Sequence, residues 1–317
     1  MDVMRLKEVV VWRFSKVCEI LRKLCNTLFY LFSNKRNVLI VNAPLFQFLG
    51  GIRHFNLGDD LNFYLLQILS GKRVIAYNSF YHLGRPVANV MAIGSVMDWL
   101  GNSDSTVWGS GILLPSSDKL QNKALLLKKV VAVRGQKSHE LLIKSGISCP
   151  AVYGDPALLL PLVYNPKVEK VKGRIGFIPH YVDVENEHIV RLMNECGENA
   201  FLIRVQKYKS WQECVRQILS CEFIVSTSLH GLILSDAYGI PNQWVVLPKA
   251  LPGGNFKFED YYSAVGKSPE AFKINEFTHI KELIDIKKSY EAITYDPKPL
   301  LKVCPFDIVC KSVLEVI

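Results

Sequence analysis

His230 is the residue of this chain best placed to take part in a reaction, because of the segment in which it stands. Residues 223–225 are apolar and predict a short buried strand, and an apolar helix is predicted over residues 231–238. The turn between them, residues 226–228, reads Ser-Thr-Ser. The start of such a helix favours an anion, and histidine titrates near neutral pH. The segment therefore predicts an anion site with an acid–base group. The alternative is that His230 only hydrogen-bonds the turn.

Other polar side chains follow further predicted strands. Open α/β sheets bind ligands at the carboxyl ends of their parallel strands, so loops at those ends are expected to meet in one cleft. The candidates in these loops are Asn56, Asp59, Asp60, Gly109 to Gly111, Arg134, His180, Tyr181, Asp183 and Lys257. Each has a plainer alternative. Asp59 would serve equally well as the cap of a helix predicted to begin at Leu61. Lys257 is predicted on a loop before a helix, where a solvated surface lysine is the alternative.

Short apolar segments alternate with helical ones along most of the chain, which predicts an α/β protein with parallel sheets covered on both faces. The first set of predicted strands covers residues 38–41, 74–76, 91–93, 106–108 and 129–133. The second set covers residues 174–178, 200–203, 223–225 and 243–246. Two Rossmann-like domains that face each other across a cleft are the expected architecture.

The same pattern divides the chain into five parts. Residues 37–161 and 173–290 are predicted to form the two Rossmann-like domains, and the lysine-rich residues 162–172 are predicted to link them. Residues 1–36 precede the domains as a basic amphipathic helix. Residues 291–317 are predicted to form a helical segment that crosses back to the first domain.

The amino-terminal segment combines an apolar stripe with positive charge. Apolar side chains recur at alternating spacings of four and three residues, at Val10, Phe14, Val17, Leu21, Leu24, Leu28 and Leu31. Residues 1–36 hold eight basic and three acidic side chains. The uncharged run over residues 24–34 is too short to cross a bilayer and carries no cleavage signature. A helix over about residues 4–32 is therefore predicted to lie on a membrane surface, to pack on the protein's own core, or to pack on a twin helix.

Length, charge and cysteine usage narrow the function classes. With 317 residues, of which 49% are apolar and 21% charged, the chain is expected to form globular domains. The net charge of +9 favours anionic partners, but no aromatic-interleaved basic run supports nucleic-acid binding. The eight cysteines form no Cys-x-x-Cys pair. This favours reduced thiols in a cytoplasmic protein and predicts no metal site. If the amino-terminal helix binds a membrane, the protein is expected at the inner face of the cytoplasmic membrane.

Several segments, taken in order, resemble the polysaccharide pyruvyl transferase family. They are Asn56-Leu-Gly-Asp-Asp60, Val107-Trp-Gly-Ser-Gly111, Val133-Arg-Gly135, Tyr153-Gly-Asp-Pro156, Ser226-Thr-Ser-Leu-His-Gly231, Tyr238-Gly-Ile-Pro241 and Lys257-Phe-Glu-Asp-Tyr261. The resemblance runs from about residue 38 to the end and leaves out the amino-terminal helix. It implies a two-domain fold like that of the GT-B glycosyltransferases.

The resemblance also implies a reaction. The family transfers the enolpyruvyl group of phosphoenolpyruvate onto two hydroxyls of one sugar, which leaves a cyclic pyruvate ketal; no other cofactor and no metal is implied. The acceptor is expected to be a surface polysaccharide of bacterial type or its lipid-linked precursor. His230 and Asp59 are the predicted catalytic residues. The predicted donor-binding residues are Arg134, Thr227, Ser228, Gly231 and Lys257, and the predicted acceptor-binding residues are Asn56, Asp60, His180 and Asp183.

One position departs from the family pattern. Ser228 stands where many members carry an arginine two residues before the histidine, so Arg134 and Lys257 are the expected substitutes in donor binding. A guanidinium is able to bind a phosphate or a carboxylate bidentately, and an ammonium supplies a point charge.

Two other functions fit parts of the pattern. A GT-B glycosyltransferase with a nucleotide sugar would share the fold, the basic cleft and a histidine. Many such enzymes carry two glutamates eight positions apart in the second domain, whereas Asp236 is the only acidic residue between His230 and Val246. A non-catalytic component of a glycan-assembly complex would use the amino-terminal helix as its anchor.

Overall fold

The computed structural model of the protein describes residues 3–49, 51–248, 253–268, 270–288 and 290–317, with side chains from Lys16 onward. Within these residues, the framework of the fold is a pair of parallel five-stranded sheets. Their strands alternate with helices along the chain, which confirms the predicted α/β class.

The first half of the chain supplies one sheet. Its strands are β1 (Val38–Val41), β2 (Gln47–Phe48), β3 (Gly51–Ile52), β4 (Arg73–Ala76), β5 (Asn89–Met91), β6 (Ser105–Trp108) and β7 (Lys129–Ala132). Strands β2 and β3 pair as a small antiparallel hairpin, and the others form a parallel sheet in the order β4-β1-β5-β6-β7. The interior strand β1 is a largely buried Val-Leu-Ile-Val run, as expected for a strand covered on both faces.

The second half supplies the other sheet. Its strands are β8 (Ile175–Ile178), β9 (Ala200–Leu202), β10 (Phe223–Ser226), β11 (Asn242–Val246) and β12 (Phe272–Lys273), in the order β12-β11-β10-β8-β9. Ser226 pairs with Ile178 on one side and with Trp244 on the other. The strands β8 and β10 therefore end level with each other, and the loops that follow them begin side by side.

The helices connect and cover these strands. They are α1 (Val3–Phe32), α2 (Leu57–Ser70), α3 (Met97–Leu100), α4 (Asp118–Gln121), α5 (Gln136–Lys144), α6 (Leu160–Val163), α7 (Glu187–Cys196), α8 (Trp211–Leu219), α9 (Leu229–Ala237), α10 (Phe256–Ala264), α11 (Ile280–Lys287), α12 (Lys298–Lys302) and α13 (Lys311–Leu314). Short 3-10 helices cover Lys35–Asn37, Tyr77–Ser79, Pro156–Leu159 and Gly197–Asn199.

Three helices begin earlier than the sequence predicts. Helix α2 begins at Leu57 and not at Leu61, because the side chain of Asn56 accepts a hydrogen bond from a first-turn N–H. Asp59 therefore lies inside the first turn and is not the cap. Helix α9 begins at Leu229, so His230 is helical. Lys257 lies in the first turn of α10 and not on the preceding loop.

Hydrogen bonds tie the two halves of the chain together. The N–H of Leu57 donates to the carbonyl of Val205 at 2.8 Å. Trp108 donates from Nε1 to the carbonyl of Leu300 at 2.9 Å, so the carboxyl-terminal segment lies against β6. One apolar core also contains side chains from both halves. The sequence-based domain boundaries and the GT-B-like arrangement stay predictions.

The amino-terminal helix turns its predicted apolar stripe away from the protein. The side chains at Val17, Leu21, Leu24, Leu28 and Leu31 are 45% to 55% exposed, whereas the polar Asn26 and Thr27 are buried. The prediction that the stripe packs on the protein's own core is therefore wrong for these five residues. Val10 and Phe14 lie outside the described side chains. None of the helices in the described residues is both long and apolar enough to cross a membrane.

Candidate active site

One wall of the candidate site is the first turn of α2. Asn56 accepts the Gly58 N–H on Oδ1 at 3.4 Å and donates from Nδ2 to Asp59 Oδ2 at 2.9 Å. Burial raises the pKa of the half-buried Asp59 to about 7; the nearby charge of Asp60 adds to the rise, and the Asn56 hydrogen bond opposes it. Asp59 is therefore able to hold or release a proton near neutral pH.

The adjoining wall is the start of α9. Ser228 is the N-cap residue, but its side chain makes no capping hydrogen bond. The N–H groups of this turn therefore keep their capacity to bind an anion. Burial, with smaller contributions from the charges of Arg134 and Lys257, lowers the pKa of His230 to about 3. His230 is therefore a neutral imidazole at physiological pH.

Beneath His230 lies a carboxyl group that the sequence-based site omits. Asp155 is fully buried, and its Oδ2 lies 3.9 Å from His230 Nε2. Both atoms are buried and have no hydrogen-bond partner, whereas Oδ1 accepts the Ala157 N–H at 3.0 Å. Burial raises the pKa of Asp155 to about 6. Two facing polar atoms without partners are uncommon in a folded interior and are typical of a functional site.

The imidazole is also held by close packing against α2. A Cβ atom at Gly58 would collide with the ring of His230. The glycine therefore allows residues 56–60 of the first half to touch residues 226–231 of the second half. This contact explains why both segments belong to one site although they are far apart in the chain.

Lys257 brings a positive charge to the same place. It is 8% exposed. The pKa of its ammonium is lowered to about 8, chiefly by burial and also by the charge of Arg134, while the charge of Asp183 opposes the shift. Burial lowers the pKa of His180 to about 4, and the nearby charge of Lys257 contributes to this shift. At neutral pH the site thus holds one buried ammonium beside two neutral imidazoles.

These groups line one cleft of about 200 Å³ between the two halves of the chain. The first half contributes Pro44, Asn56, Asp59, Gly94, Ser95, Val96, Trp99 and Leu113. The second half contributes His180, Tyr181, Val205, Ser228, Leu229, His230 and Lys257. The cleft therefore brings together seven of the candidate residues from the sequence: Asn56, Asp59, His180, Tyr181, Ser228, His230 and Lys257.

Comparison with known proteins decides the family. A family model described as polysaccharide pyruvyl transferase matches residues 10–245, which is most of the chain. The chain belongs to the polysaccharide pyruvyl transferase family. The match begins within α1 and ends in β11. It therefore includes much of the helix that the sequence resemblance left out, and it stops before Lys257.

The chain is also similar to two individual proteins. The chain is 26% identical over 234 residues to uncharacterized protein L143 of Acanthamoeba polyphaga mimivirus, which covers 70% of this chain and 75% of that protein. It is 23% identical over 236 residues to succinoglycan biosynthesis protein ExoV of Rhizobium meliloti (strain 1021), which covers 73% of this chain and 68% of that protein. By its name, the second relative takes part in the biosynthesis of succinoglycan.

Arg134 lies behind the cleft wall in this member of the pyruvyl transferase family. Its guanidinium is fully buried and pairs with Asp260, from Nε at 3.0 Å and from Nη2 at 2.9 Å. It also donates to the hydroxyl of Ser95 and, at 3.3 Å, to the carbonyl of Ile112. Arg134 is thus not among the residues that line the cleft. Its predicted direct contact with the donor stays a prediction.

The Arg134–Asp260 pair explains two of the glycines in the family-like segments. A Cβ atom at Gly111 would collide with the guanidinium of Arg134, and a Cβ atom at Gly135 would collide with the backbone of Asp260. These glycines allow α10 to dock on the first half. Asp260 lies one turn after Lys257 on α10, so the pair also fixes where Lys257 stands.

Asp60 does not face the cleft, although it was predicted to bind the acceptor. It is fully buried, and its Oδ2 accepts the Phe55 N–H at 2.9 Å and the Tyr208 hydroxyl at 2.6 Å. Tyr208 follows β9 in the second half. Asp60 therefore holds the two halves together beside the cleft, and a part in acceptor binding would be indirect.

Three more predicted residues stand outside the cleft lining. The Thr227 hydroxyl accepts the His180 N–H at 2.8 Å and donates to Asp183 Oδ2 at 2.7 Å, so these groups hold the turns after β8 and β10 together. Thr227 and Asp183 line a neighbouring cavity of about 200 Å³. Gly231 packs against Ser226, because a Cβ atom there would collide with the serine hydroxyl. Close packing alone would require glycine at this position, and a donor contact of Gly231 stays a prediction.

No group of three or more His, Cys, Asp or Glu residues within the described part of the chain is arranged to hold a metal ion. All eight cysteines are free thiols. Several of them are buried, and burial raises the pKa of Cys214 to about 12. Such thiols are protonated at neutral pH and behave as small apolar side chains.

Proposed function

We propose that the protein transfers the enolpyruvyl group of phosphoenolpyruvate onto two hydroxyls of one sugar and forms a cyclic pyruvate ketal. The proposed acceptor is a sugar of a bacterial-type surface polysaccharide or of its lipid-linked precursor. The observation that carries the proposal is the cleft, where a buried ammonium, an uncapped helix start and a neutral histidine converge. Membership of the pyruvyl transferase family supports the same reaction.

The donor fits the positive side of the cleft. Phosphoenolpyruvate carries a phosphate and a carboxylate, and the ammonium of Lys257 is able to pair with either. The first turn of α9, with Ser228 as its N-cap, offers N–H groups and a hydroxyl to whichever of the two anionic groups Lys257 does not bind. Because the donor is strongly anionic, its binding offsets the positive charges that lower the pKa of His230. Donor binding thus raises the proton affinity of His230 when a proton must be moved.

The reaction requires two proton transfers. The methylene carbon of the donor gains a proton and becomes a methyl group, while the oxygen of the first sugar hydroxyl bonds to the central carbon and loses its proton. The second hydroxyl then bonds to the same carbon, its proton leaves, and the carbon–oxygen bond to phosphate breaks. Of the two hydroxyl protons, one balances the proton gained by the methyl group and the other leaves with phosphate.

His230 and Asp59 suit these transfers because their environments move their pKa values apart. His230 is neutral before the donor binds, so it is able to accept a hydroxyl proton. Asp59 has a pKa of about 7, so a large share of it carries a proton at neutral pH, and it is able to donate that proton. Asn56, which donates to Asp59, orients the carboxyl group.

Asp155 acts on His230 as a positioning residue in this scheme. At 3.9 Å, the pair is too far apart for a hydrogen bond, but such contacts often tighten when substrate binds. An ionised Asp155 would accept the Nε2 proton of His230, which leaves Nδ1 as the basic nitrogen. It would also stabilise the imidazolium that forms when His230 takes up a proton. Asp155 thus favours the protonated intermediate without touching the substrate.

A ligand-binding test separates this proposal from a nucleotide-sugar glycosyltransferase. Phosphoenolpyruvate should raise the melting temperature of the protein by mass action on the native state, and uridine or guanosine diphosphate should not. With candidate sugars, phosphate release and a matching mass gain on the sugar should follow. A strong shift with a nucleotide diphosphate and none with phosphoenolpyruvate would overturn the donor assignment. Donor binding without turnover on any glycan would favour a non-catalytic role.

A further inference from the structure

Helix α1 reverses the usual amphipathic arrangement of a surface helix. Seven apolar side chains on one face are between 45% and 86% exposed, and we call them the outer face: Val17, Ile20, Leu21, Leu24, Leu28, Leu31 and Phe32. Their spacing of three and four residues places them on one side of the helix. A surface helix of a globular protein ordinarily turns such a stripe towards the core.

The other side of α1 is attached to the protein by polar contacts. Asn26 is buried and makes three hydrogen bonds, to the carbonyls of Gln47 and Ser79 and from the N–H of Leu49, at 2.9 to 3.0 Å. Thr27 accepts the Tyr81 N–H at 2.9 Å. A buried amide with its partners in place fixes the rotation of the helix. The outward direction of the apolar side chains is therefore built into the fold.

Aromatic contacts fix the end of the same helix. The ring of Tyr30 lies 4.4 Å from that of Phe80, centroid to centroid, and Phe29 packs against the small core that contains Phe80. The hairpin β2–β3 packs on the opposite side of the helix, where Asn26 contacts it. The exposed apolar side chains of the outer face form a patch of the kind that marks an interaction site.

Charge indicates what covers the outer face. Over residues 16–36 there are five basic side chains, Lys16, Arg22, Lys23, Lys35 and Arg36, and one acidic side chain, Glu19. Lys16 and Lys23 both lie within 4 Å of Glu19. A second copy of the helix would bring the same positive charge against itself, whereas an anionic lipid surface complements it. The length and polarity of α1 suit a helix that lies in the interface and does not cross it.

We propose that the outer face of α1 docks the protein onto an anionic lipid membrane, with the helix lying in the plane of the interface. The apolar side chains enter the boundary between headgroups and acyl chains, and the lysines remain at the level of the lipid phosphates. The sequence continues the same apolar spacing at Val10 and Phe14, outside the described side chains. This docking does not depend on the reaction proposed for the cleft. If the acceptor is lipid-linked, docking would place the cleft near it.

Co-sedimentation of the full chain with vesicles tests the proposal. The wild type should sediment with vesicles that contain phosphatidylglycerol, should bind less to pure phosphatidylcholine, and should be released as salt rises. The double substitution Leu24→Glu/Leu28→Glu should reduce partitioning at least tenfold. Phe277→Glu is the matched control, because Phe277 is 75% exposed but lies far along the chain from α1. It should leave binding unchanged.

The charge contribution is tested separately from the apolar contribution. Lys16→Gln/Lys23→Gln should lower binding about fivefold for each lysine and flatten the salt dependence. Unchanged melting temperatures should show that each variant is folded. Failure of the wild type to sediment with anionic vesicles overturns the proposal. A stable dimer in light scattering that Leu24→Glu/Leu28→Glu dissociates, without vesicle binding, would assign the outer face to a second copy instead.

Discussion

Two buried pairs of charged or titratable groups stand side by side in the centre of this protein, and they differ in one respect. Arg134 and Asp260 satisfy each other, and Ser138 adds two further hydrogen bonds to Asp260, both at 2.7 Å. His230 and Asp155 face each other at 3.9 Å with one nitrogen and one oxygen left without partners. The first pair joins two halves of the chain, and the second pair keeps its bonding capacity for a reaction.

The difference shows how buried residues that stabilise the fold are distinguished from buried residues that take part in the reaction. Burial alone does not separate the pairs clearly, since Arg134, Asp260 and Asp155 are fully buried and the side chain of His230 is only 13% exposed. Hydrogen-bond satisfaction does. A satisfied buried pair resists change, whereas an unsatisfied one is retained at a cost in stability. Substitutions of the same kind in the two pairs should therefore have opposite consequences.

The largest effect is expected from Asp260→Asn. The change removes the negative charge that compensates Arg134. It also places an amide N–H₂ group, which donates, where four hydrogen-bond donors now meet the carboxylate. Breaking a buried ion pair by removing one partner costs about 3–5 kcal/mol. Urea unfolding should report a loss near the lower end of this range, and donor binding should fall because α10 no longer holds Lys257. An unfolding midpoint equal to that of the wild type would mean that the pair is dispensable.

His230→Ala should have the next largest effect, but on turnover and not on stability. Loss of an acid–base group lowers turnover by about two orders of magnitude or more. His188, on α7 and outside the cleft lining, provides the matched control as His188→Ala. Steady-state phosphate release and thermal unfolding measure the two consequences separately. Turnover of His230→Ala within a few-fold of the wild type would return this residue to a purely structural role in the turn.

Asp155→Asn is the counterpart of Asp260→Asn in the second pair. Its unfolding free energy should stay equal to that of the wild type or rise. The reason is that the folded protein raises the pKa of Asp155 to about 6, so ionisation costs stability as pH rises from about 4 to 6. Turnover should nevertheless fall by about ten- to a hundredfold, with little change in the KM for phosphoenolpyruvate.

The pH profile distinguishes positioning by Asp155 from a merely structural role. In the wild type, turnover should decline as pH falls through about 6, because the carboxylate that stabilises protonated His230 is lost. The asparagine variant should lack this decline. If both proteins show the same acid limb, then the limb belongs to another group, and Asp155 does not act through His230.

The sequence predicts most of the strands, because buried parallel strands are continuous apolar runs such as Val38–Val41. It places β5 two residues too late and misses the two-residue strands β2, β3 and β12. It also predicts that His230, Asp59 and Lys257 share a cleft. It cannot choose between Asn56 and Asp59 as the cap of α2, since both residue types cap helices. The bond from Leu57 to Val205 at the start of that helix joins distant parts of the chain and is invisible to any local pattern.

The pairing of charges is equally beyond the sequence. Arg134 and Asp260 are 126 positions apart, so only the fold shows that the guanidinium is already engaged. Asp155 stands within a segment that carries the family resemblance, but nothing local assigns it to His230. For α1, the apolar stripe is visible in the sequence. Its direction is not, because it is set by the buried polar Asn26 on the opposite side.

The smallest effect is expected for Lys257, which belongs to neither pair but lowers the pKa of His230 by its charge. Its own pKa is lowered from the usual 10.5 to about 8, so its charge is present below about pH 8 and is lost as pH rises further. The KM for phosphoenolpyruvate should therefore increase above pH 8, by up to about tenfold per pH unit. Lys257→Arg should keep its charge across this range and flatten the increase, although a guanidinium places that charge differently.

Lys144→Arg, at the exposed end of α5, is the control and should retain the wild-type profile. The same increase in KM in Lys257→Arg would show that another group holds the donor. Lys257 would then act only as a neighbour of the His230–Asp155 pair.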